Sequence, residues 1–337
     1  MKTNHMRFLK WLGIVILLLI LVYFVGPKPT SPTFSPNLPS VPDQPLSIEK
    51  YILAKEANHR LKHDNQARII WFDDSTKAKT EFAIVYLHGF SASQEEGDPI
   101  HQHIAKKFGS NLYLSRLEDH GVDTTEPLLT LTADRLWNSA KEAYAIGKQL
   151  GHKVILMGTS TGGTLALKLA AEYPDIAGLL LFSPNISIKD PNAWLLNNHW
   201  GLQIANMIKG KYNTARDTTA LYAKYWNAKY RMESAVQLQE LIETTMKESL
   251  FKKVKQPLLM LYYFKDDSNQ DRVVKVSAMK RMFSQLETPD SLKRQMAIPN
   301  AGDHVIGSYV KSKDVASVIL HTEKFVKEVL KIKPVME

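Results

Sequence analysis

The 337-residue sequence contains no cysteine. That single absence excludes a disulfide scaffold, a thiolate zinc site, an iron–sulfur cluster, a cysteine nucleophile and a lipoprotein-type lipidated cysteine. Internal repeats of fixed period are also missing, so solenoid and propeller arrays are excluded. A recognisable nucleic-acid module is lacking too: positive charge is in excess but is not interleaved with aromatics in any known pattern, and nucleic acid is not an expected partner. What remains is ordinary globular composition, 44% hydrophobic and 23% charged, which rules out collagen-like, coiled-coil and wholly disordered chains. The length suffices for one large domain or two small ones with a sizeable core. The formal charge of +9 is uneven, with +3 in residues 1–45 and +5 in residues 186–256. A basic surface of that kind suits anionic lipid, an acidic substrate or plain solvent.

The amino terminus reads as a membrane segment. Residues Trp11 to Gly26 are uncharged and mostly apolar, and at about 1.5 Å per residue they span roughly 24 Å, somewhat less than a hydrocarbon core of ~30 Å. Extension back to Phe8, with Lys10 snorkelling to the interface, makes a spanning helix. A cleavable signal peptide shares this outline, and secretion after cleavage is the alternative. However, bulky Phe24 and Pro27 surround the place where small residues would be needed. Lys2, Arg7 and Lys10 precede the segment, so a single-pass anchor would leave the remainder outside the cytoplasm. Residues 1–26 are therefore expected to be an anchor. Residues 27–45, which hold seven of the sixteen prolines, are expected to be an extended semi-rigid linker, and 46–337 the globular domain.

From Leu46 onward short apolar runs alternate with helical periodicity. Strands are predicted at 67–72, 82–87, 111–114, 153–157, 178–182, 257–264 and 295–298, with helices at 133–150, 163–172, 276–286 and 313–331. This alternation implies an α/β fold with a mostly parallel sheet and helices on both faces. Residues 185–256 break the rhythm with a helix-like, strand-free stretch, expected as an insertion over the strand ends where α/β sheets hold their ligands.

Four places carry candidate chemistry. Lys153–Met157 runs into Gly158-Thr-Ser160-Thr-Gly162 and then a helical stretch, the strand–G-x-S-x-G–helix order that presents a serine on a sharp turn. Any side chain at 158 or 162 would strike the neighbouring strand or helix. The bland alternative is a glycine-rich turn that binds phosphate at the helix start. Leu87-His88-Gly89-Phe90 ends an earlier strand. The amides of Phe90 and Thr161 are the expected oxyanion donors, and His88 is expected to stitch loops together rather than act as a base. After the 257–264 run, Asp266, Asp267 and Asp271 compete as the carboxylate that orients a catalytic imidazole. Counting from the strand end favours the first two, and counting back from Val273-Val274 favours Asp271, which is preferred here. Ala301-Gly-Asp-His304 follows the last strand and makes His304 the candidate base. The order Ser160, Asp271, His304 is that of α/β-hydrolase enzymes. His101 and His103 fall on different sides of a helix, so no metal is expected there, and no cofactor is expected anywhere.

The stretches LHGFSAS, GTSTGG, DRVV, AGDH and Arg116-Leu-Glu-Asp-His-Gly121 resemble the monoacylglycerol-lipase, carboxylesterase and serine-aminopeptidase group of α/β-hydrolases over about residues 50–330. The resemblance implies an eight-stranded sheet with a helical cap inserted after the sixth strand, where residues 185–256 lie. The family covers ester, thioester, amide and lipid substrates, and the leading expectation for this chain is hydrolysis of a small-molecule or lipid carboxylic ester through an acyl-enzyme. The acid loop is about five residues longer than the family pattern, which leaves the aspartate open at this point. Amidase or aminopeptidase action, and a catalytically silent tethered binding protein, are the competing functions. Trp194, Trp200 and Trp226, three of the six tryptophans, fall in the insertion and are candidates for an apolar acyl lining.

Overall fold

The computed structural model describes residues 2–335. In chain order, helices α1 (Lys2–Val25) and α2 (Pro45–Glu56) precede strands β1 (Arg68–Ile70) and β2 (Thr80–Leu87). Then come α3 (Ile100–Lys107), β3 (Asn111–Leu114), α4 (Ala133–Leu150), β4 (Gly151–Thr159), α5 (Thr161–Glu172) and β5 (Gly178–Phe182). The insertion holds α6 (Gly201–Lys209), β6 (Tyr212–Thr214), α7 (Ala220–Tyr225), β7 (Lys229–Arg231), α8 (Met232–Thr245) and α9 (Glu248–Phe251). The chain closes with β8 (Leu258–Tyr262), α10 (Val276–Ser284), β9 (Lys293–Ala297) and α11 (Val315–Glu328).

One sheet of seven strands organises the domain, in the order β1-β3-β2-β4-β5-β8-β9. All its neighbours pair in parallel except β1, which is antiparallel to β3. Parallel strands covered on both faces need apolar residues at every position, and alternate residues then serve opposite layers. Ala83, Val85 and Leu87 of β2 join the core beneath α2, α4, α5 and α10, whereas Ile84 and Tyr86 join the core beneath α3 and α11. In β5, Leu179 and Leu181 take the first side, and Leu180 and Phe182 the second.

The sheet has seven strands among the described residues where eight were expected. The segment before β1 is polar (His59 to Gln66) and has no alternating apolar positions, so it contributes only an isolated bridge between Leu61 and Val122. The insertion also differs from expectation in containing strands: β6 and β7 form a small antiparallel pair, Tyr212 opposite Arg231.

The proline-rich segment is extended, as its composition dictates, but its second half is docked rather than free. Phe34, Leu38 and Val41 pack on the core. Asp134 in the first turn of α4 accepts the amides of Thr33 (3.0 Å) and Phe34 (2.7 Å). Trp137 Nε1 and Lys141 Nζ donate to the carbonyls of Ser35 and Asn37, each at 2.8 Å. Lys168, on α5, sits over the Phe34 ring. Proline removes backbone donors but leaves every carbonyl free, so an extended proline-rich strand is a row of acceptors for side chains that can reach it.

Candidate active site

β4 ends at Thr159 and α5 starts at Thr161, leaving Ser160 alone in the turn. Its backbone sits at φ 52°, ψ −115°, a conformation costing a non-glycine residue roughly 1–3 kcal/mol unless its surroundings impose it. They do so here. Ser160 N donates to Phe182 O at 3.0 Å, while its carbonyl accepts from Thr164 N at 3.1 Å and Asn185 N at 2.9 Å. The two glycines are required sterically. A Cβ at Gly162 would lie 1.8 Å from Leu87 O, and one at Gly158 would lie 2.6 Å from the backbone of Gly162. Both obstacles are main chain and cannot swing aside. Gly162→Ala is expected to destabilise the domain by about 3 kcal/mol. Urea unfolding measures this, and a loss below ~1 kcal/mol would show that the turn opens freely.

Asp271 and His304 meet at the same edge of the sheet, past the ends of β8 and β9. His304 Nδ1 and Asp271 Oδ2 are 2.6 Å apart, and Asp271 is fully buried. The other carboxylate oxygen accepts the amides of Val273 (2.8 Å) and Val274 (3.0 Å), so both oxygens are fixed. This explains the Asp-Arg-Val-Val stretch as a turn closed on its own aspartate. Asp266 and Asp267 are exposed, and Asp266 is occupied in a local turn with Ser268 and Asn269. The extra residues of this loop form a closed excursion, with a bridge between Phe264 and Gln270 and Lys265 N donating to Asn269 O at 2.9 Å. Asp271 therefore re-enters beside the strand, its amide donating to Tyr263 O.

Burial alone would lower the His304 imidazole, but the Asp271 carboxylate overcomes it, with smaller help from Glu96 and Asp303, and the net displacement is upward. Asp271 moves the opposite way: burial raises it, the His304 ring and the two valine amides lower it further, and it stays ionised. With Nδ1 bound to the carboxylate, His304 presents Nε2, which is buried and takes no hydrogen-bond partner among the described residues. Ser160 and His304 are thus not hydrogen-bonded to each other in this state.

The amides of Phe90 and Thr161 take no hydrogen-bond partner among the described residues, in keeping with donors reserved for a ligand atom. His88 accepts the amide of Leu117 at Nε2 (3.0 Å) and donates from Nδ1 to Gly89 O (2.8 Å). Buried beside His120, it is held neutral, well below the usual histidine range. Both ring nitrogens are thus engaged in joining neighbouring loops. His101 is buried with Nε2 on Gln94 O, and His103 faces Glu323.

Sequence reasoning missed Glu96. Its buried carboxyl accepts the Gly89 amide and is pushed up to about 7, chiefly by burial, against the lowering effect of that amide and of His304. A Gln-Glu-Glu run between a strand and a helix has the composition of a solvated loop, and nothing in it signals a buried acid. The cap reaches the same loops. Tyr230 packs edge-on against Phe90 at 5.1 Å, Asn227 N donates to Ser91 O, and Trp226 clusters with Ala92 and Val305, stacked on Tyr222. Trp194 and Trp200 lie elsewhere, Trp194 exposed and Trp200 at the end of α1.

A family model described as "Serine aminopeptidase, S33" matches residues 133–301, half of the chain. The chain belongs to this α/β-hydrolase family. It is 31% identical over 105 residues to a thermostable monoacylglycerol lipase of a Bacillus species; the match covers 31% of this chain and 41% of that relative. A metagenome-derived lipolytic enzyme shares the fold at a TM-score of 0.64 and 15% identity, over 79% of this chain and 99% of its own. A soluble variant of the Saccharomyces cerevisiae monoglyceride lipase does so at 0.57 and 12%, over 83% and 96%. At such identities these two structures speak for the fold, and the family match for a hydrolase.

Proposed function

We propose that the chain is a serine hydrolase of carboxylic esters with lipid-like or apolar acyl groups, acting through Ser160, His304 and Asp271. The observation that carries this reading is the buried carboxylate–imidazole pair with a free Nε2, at the same sheet edge as a serine held in a strained strand-to-helix turn. A neutral hydroxyl is a weak nucleophile. His304 Nε2 takes the Ser160 proton as Oγ bonds to the acyl carbon, and the carbonyl electrons move onto oxygen. The amides of Phe90 and Thr161 stabilise that oxyanion, each contributing about 3–4 kcal/mol. The adduct collapses by breaking the bond to the alkoxide, which takes the imidazolium proton; water, deprotonated by the same ring, then attacks the acyl carbon, and the acid leaves as Ser160 Oγ takes that proton back. Asp271 keeps the imidazole in the tautomer that offers Nε2 and stabilises its cation. Aromatic cap residues over the oxyanion loop favour an apolar acyl group, and the lipase names among the relatives agree with this.

Helix α1 supports a membrane location. His5–Val25 has a mean hydropathy of 2.7 and none of it is buried in the protein. At about 1.5 Å per residue it is long enough to cross a bilayer. With Lys2, Arg7 and Lys10 at its start, it anchors the domain outside the cytoplasm.

A fluorophosphonate probe should label the full chain once, and Ser160→Ala should abolish the label. On p-nitrophenyl esters of graded chain length, kcat/KM should rise at least tenfold from acetyl to a medium chain. Faster turnover of aminoacyl amides than of any ester would replace this reading with a peptidase. Absence of both labelling and turnover would replace it with a silent binding protein.

A further inference from the structure

The cap is joined to the end of α1. The last carbonyls of a helix lack intrahelical partners, and here the cap supplies one: Trp200 Nε1 donates to Val22 O at 3.0 Å. The backbone amide of Trp200 donates to Pro27 O at 2.9 Å, and His199 Nδ1 lies 2.6 Å from Gly26 O. The contact is close enough to exclude any side chain at residue 26, since a Cβ on Gly26 would fall 2.0 Å from the Trp200 indole. Tyr23 and Phe24 pack against the His199 ring.

Helix α6 starts at the next residue, Gly201, and turns an apolar face outward. Ile204, Met207 and Ile208, spaced as i, i+3 and i+4, are 38%, 86% and 73% exposed, so they form one stripe. Trp194, 55% exposed, precedes the joint. A solvated domain rarely leaves such a stripe uncovered. Its helix begins one residue after the Trp200 contact with α1, whose apolar side chains are themselves exposed, and Lys28 and Lys211 are exposed near its two ends.

We infer that α6 lies flat in the headgroup–acyl boundary of the same phospholipid bilayer that α1 crosses, with Trp200 as the pin between the two helices. This rests on the anchor reading of α1. The pin fixes the cap to the membrane surface, so the aromatic cap residues over the oxyanion loop belong to a body in contact with the phase into which apolar esters partition. A short amphipathic helix with aromatic residues and flanking lysines is suited to that boundary.

The natural absence of cysteine makes the test direct. The full chain, reconstituted in bilayers of phosphatidylcholine and phosphatidylglycerol, is spin-labelled at single cysteines: Met207→Cys, Ile16→Cys within α1, and Leu320→Cys at an exposed position of α11. Collision with oxygen, which concentrates in lipid, is compared with collision with a water-soluble nickel chelate. The Met207 label should show an oxygen-to-nickel ratio at least fivefold above that of Leu320, approaching that of Ile16. A Met207 ratio equal to that of Leu320, with Ile16 in lipid, overturns the inference while α1 remains an anchor. An aqueous Ile16 removes the anchor reading and the inference with it. A Met207 label shielded from both reagents in a particle of doubled mass would assign the stripe to a second copy and also overturn it. In a separate measurement, the double variant M207E/I208E should lose at least fivefold in turnover of a long-chain ester embedded in the bilayer and less than twofold on a soluble acetyl ester. Equal losses on both substrates would show damage to the fold and count against a lipid role.

Discussion

Ser160→Ala is expected to lower kcat for a soluble ester by about 10⁵-fold or more, with little change in stability. The magnitude follows from what the hydroxyl does. In the proposed mechanism the covalent intermediate and the proton transfer to His304 go with it and act as one unit, so the loss is far greater than that of an ordinary hydrogen bond. What survives is binding and the two unpaired amides of Phe90 and Thr161, enough for a small residual rate over water. The fold should tolerate the change because the turn is held by the backbone of Ser160, through Phe182, Thr164 and Asn185, and not by its side chain. Ser160→Gly separates the two properties further. Glycine relieves the left-handed strain of φ 52°, so it should be equally inactive yet unfold no earlier than the alanine variant. Full turnover by Ser160→Ala in a preparation free of host esterase would remove Ser160 from the mechanism.

Asp271→Asn is expected to cost about 10⁴-fold in kcat, whereas Asp266→Asn and Asp267→Asn, both at exposed positions, should each stay within about twofold. The pH profile carries the more specific signature. With His304 as the proposed base, turnover requires its neutral form, so the rate should rise as pH climbs through the imidazole value. In the wild type that value is raised above the ordinary 6.5, because the Asp271 carboxylate outweighs burial, and the acidic limb should therefore lie above pH 6.5. Asparagine removes the charge and leaves burial, which favours the neutral ring, so the limb of the residual activity should move to lower pH. A limb that stays in place with undiminished kcat would mean another carboxylate orients the ring. A large loss at Asp266 would name which one.

The fold was legible in the sequence wherever burial and periodicity agreed. Residues 111–114 and 178–182 are strands with the predicted bounds, and 133–150 is a helix with the predicted bounds, because two-sided burial and a 3.6-residue repeat are local signals. The helix Pro45–Glu56 went unread, and that of His101 and His103, Ile100–Lys107, was read without bounds. Lys and Glu punctuate the first, the second is short, and packing stabilises both: Ile48 and Ile52 are buried in one, and Ile100, His101, Ile104 and Ala105 in the other. The strands of the cap were hidden for the same reason, being three-residue segments that exist only because each finds the other. The prolines of residues 27–45 correctly announced an extended chain. That this chain binds Asp134, Trp137 and Lys141 depends on side chains about 100 positions away, which no local pattern could report.

For the candidate site, the sequence by itself determined the serine turn, since glycine at 158 and 162 between an apolar strand and an apolar helix is a local steric requirement. It also determined the histidine loop and the order of the three chemical groups along the chain. Only the tertiary structure shows which of the three aspartates meets His304. The choice depends on how residues 264–270 close on themselves, which sends two carboxylates into solvent and one onto His304, 33 positions further along the chain. It likewise decided the burial of Glu96 beside Gly89, and the placement of the cap tryptophans, with Trp226 packed on Ala92 and Val305 and Trp200 on α1. The physical reason is common to all of these. Dihedral preference and hydrophobic period act over a few residues, whereas desolvation of a carboxylate and the meeting of a tryptophan with a distant carbonyl exist only after the chain has packed.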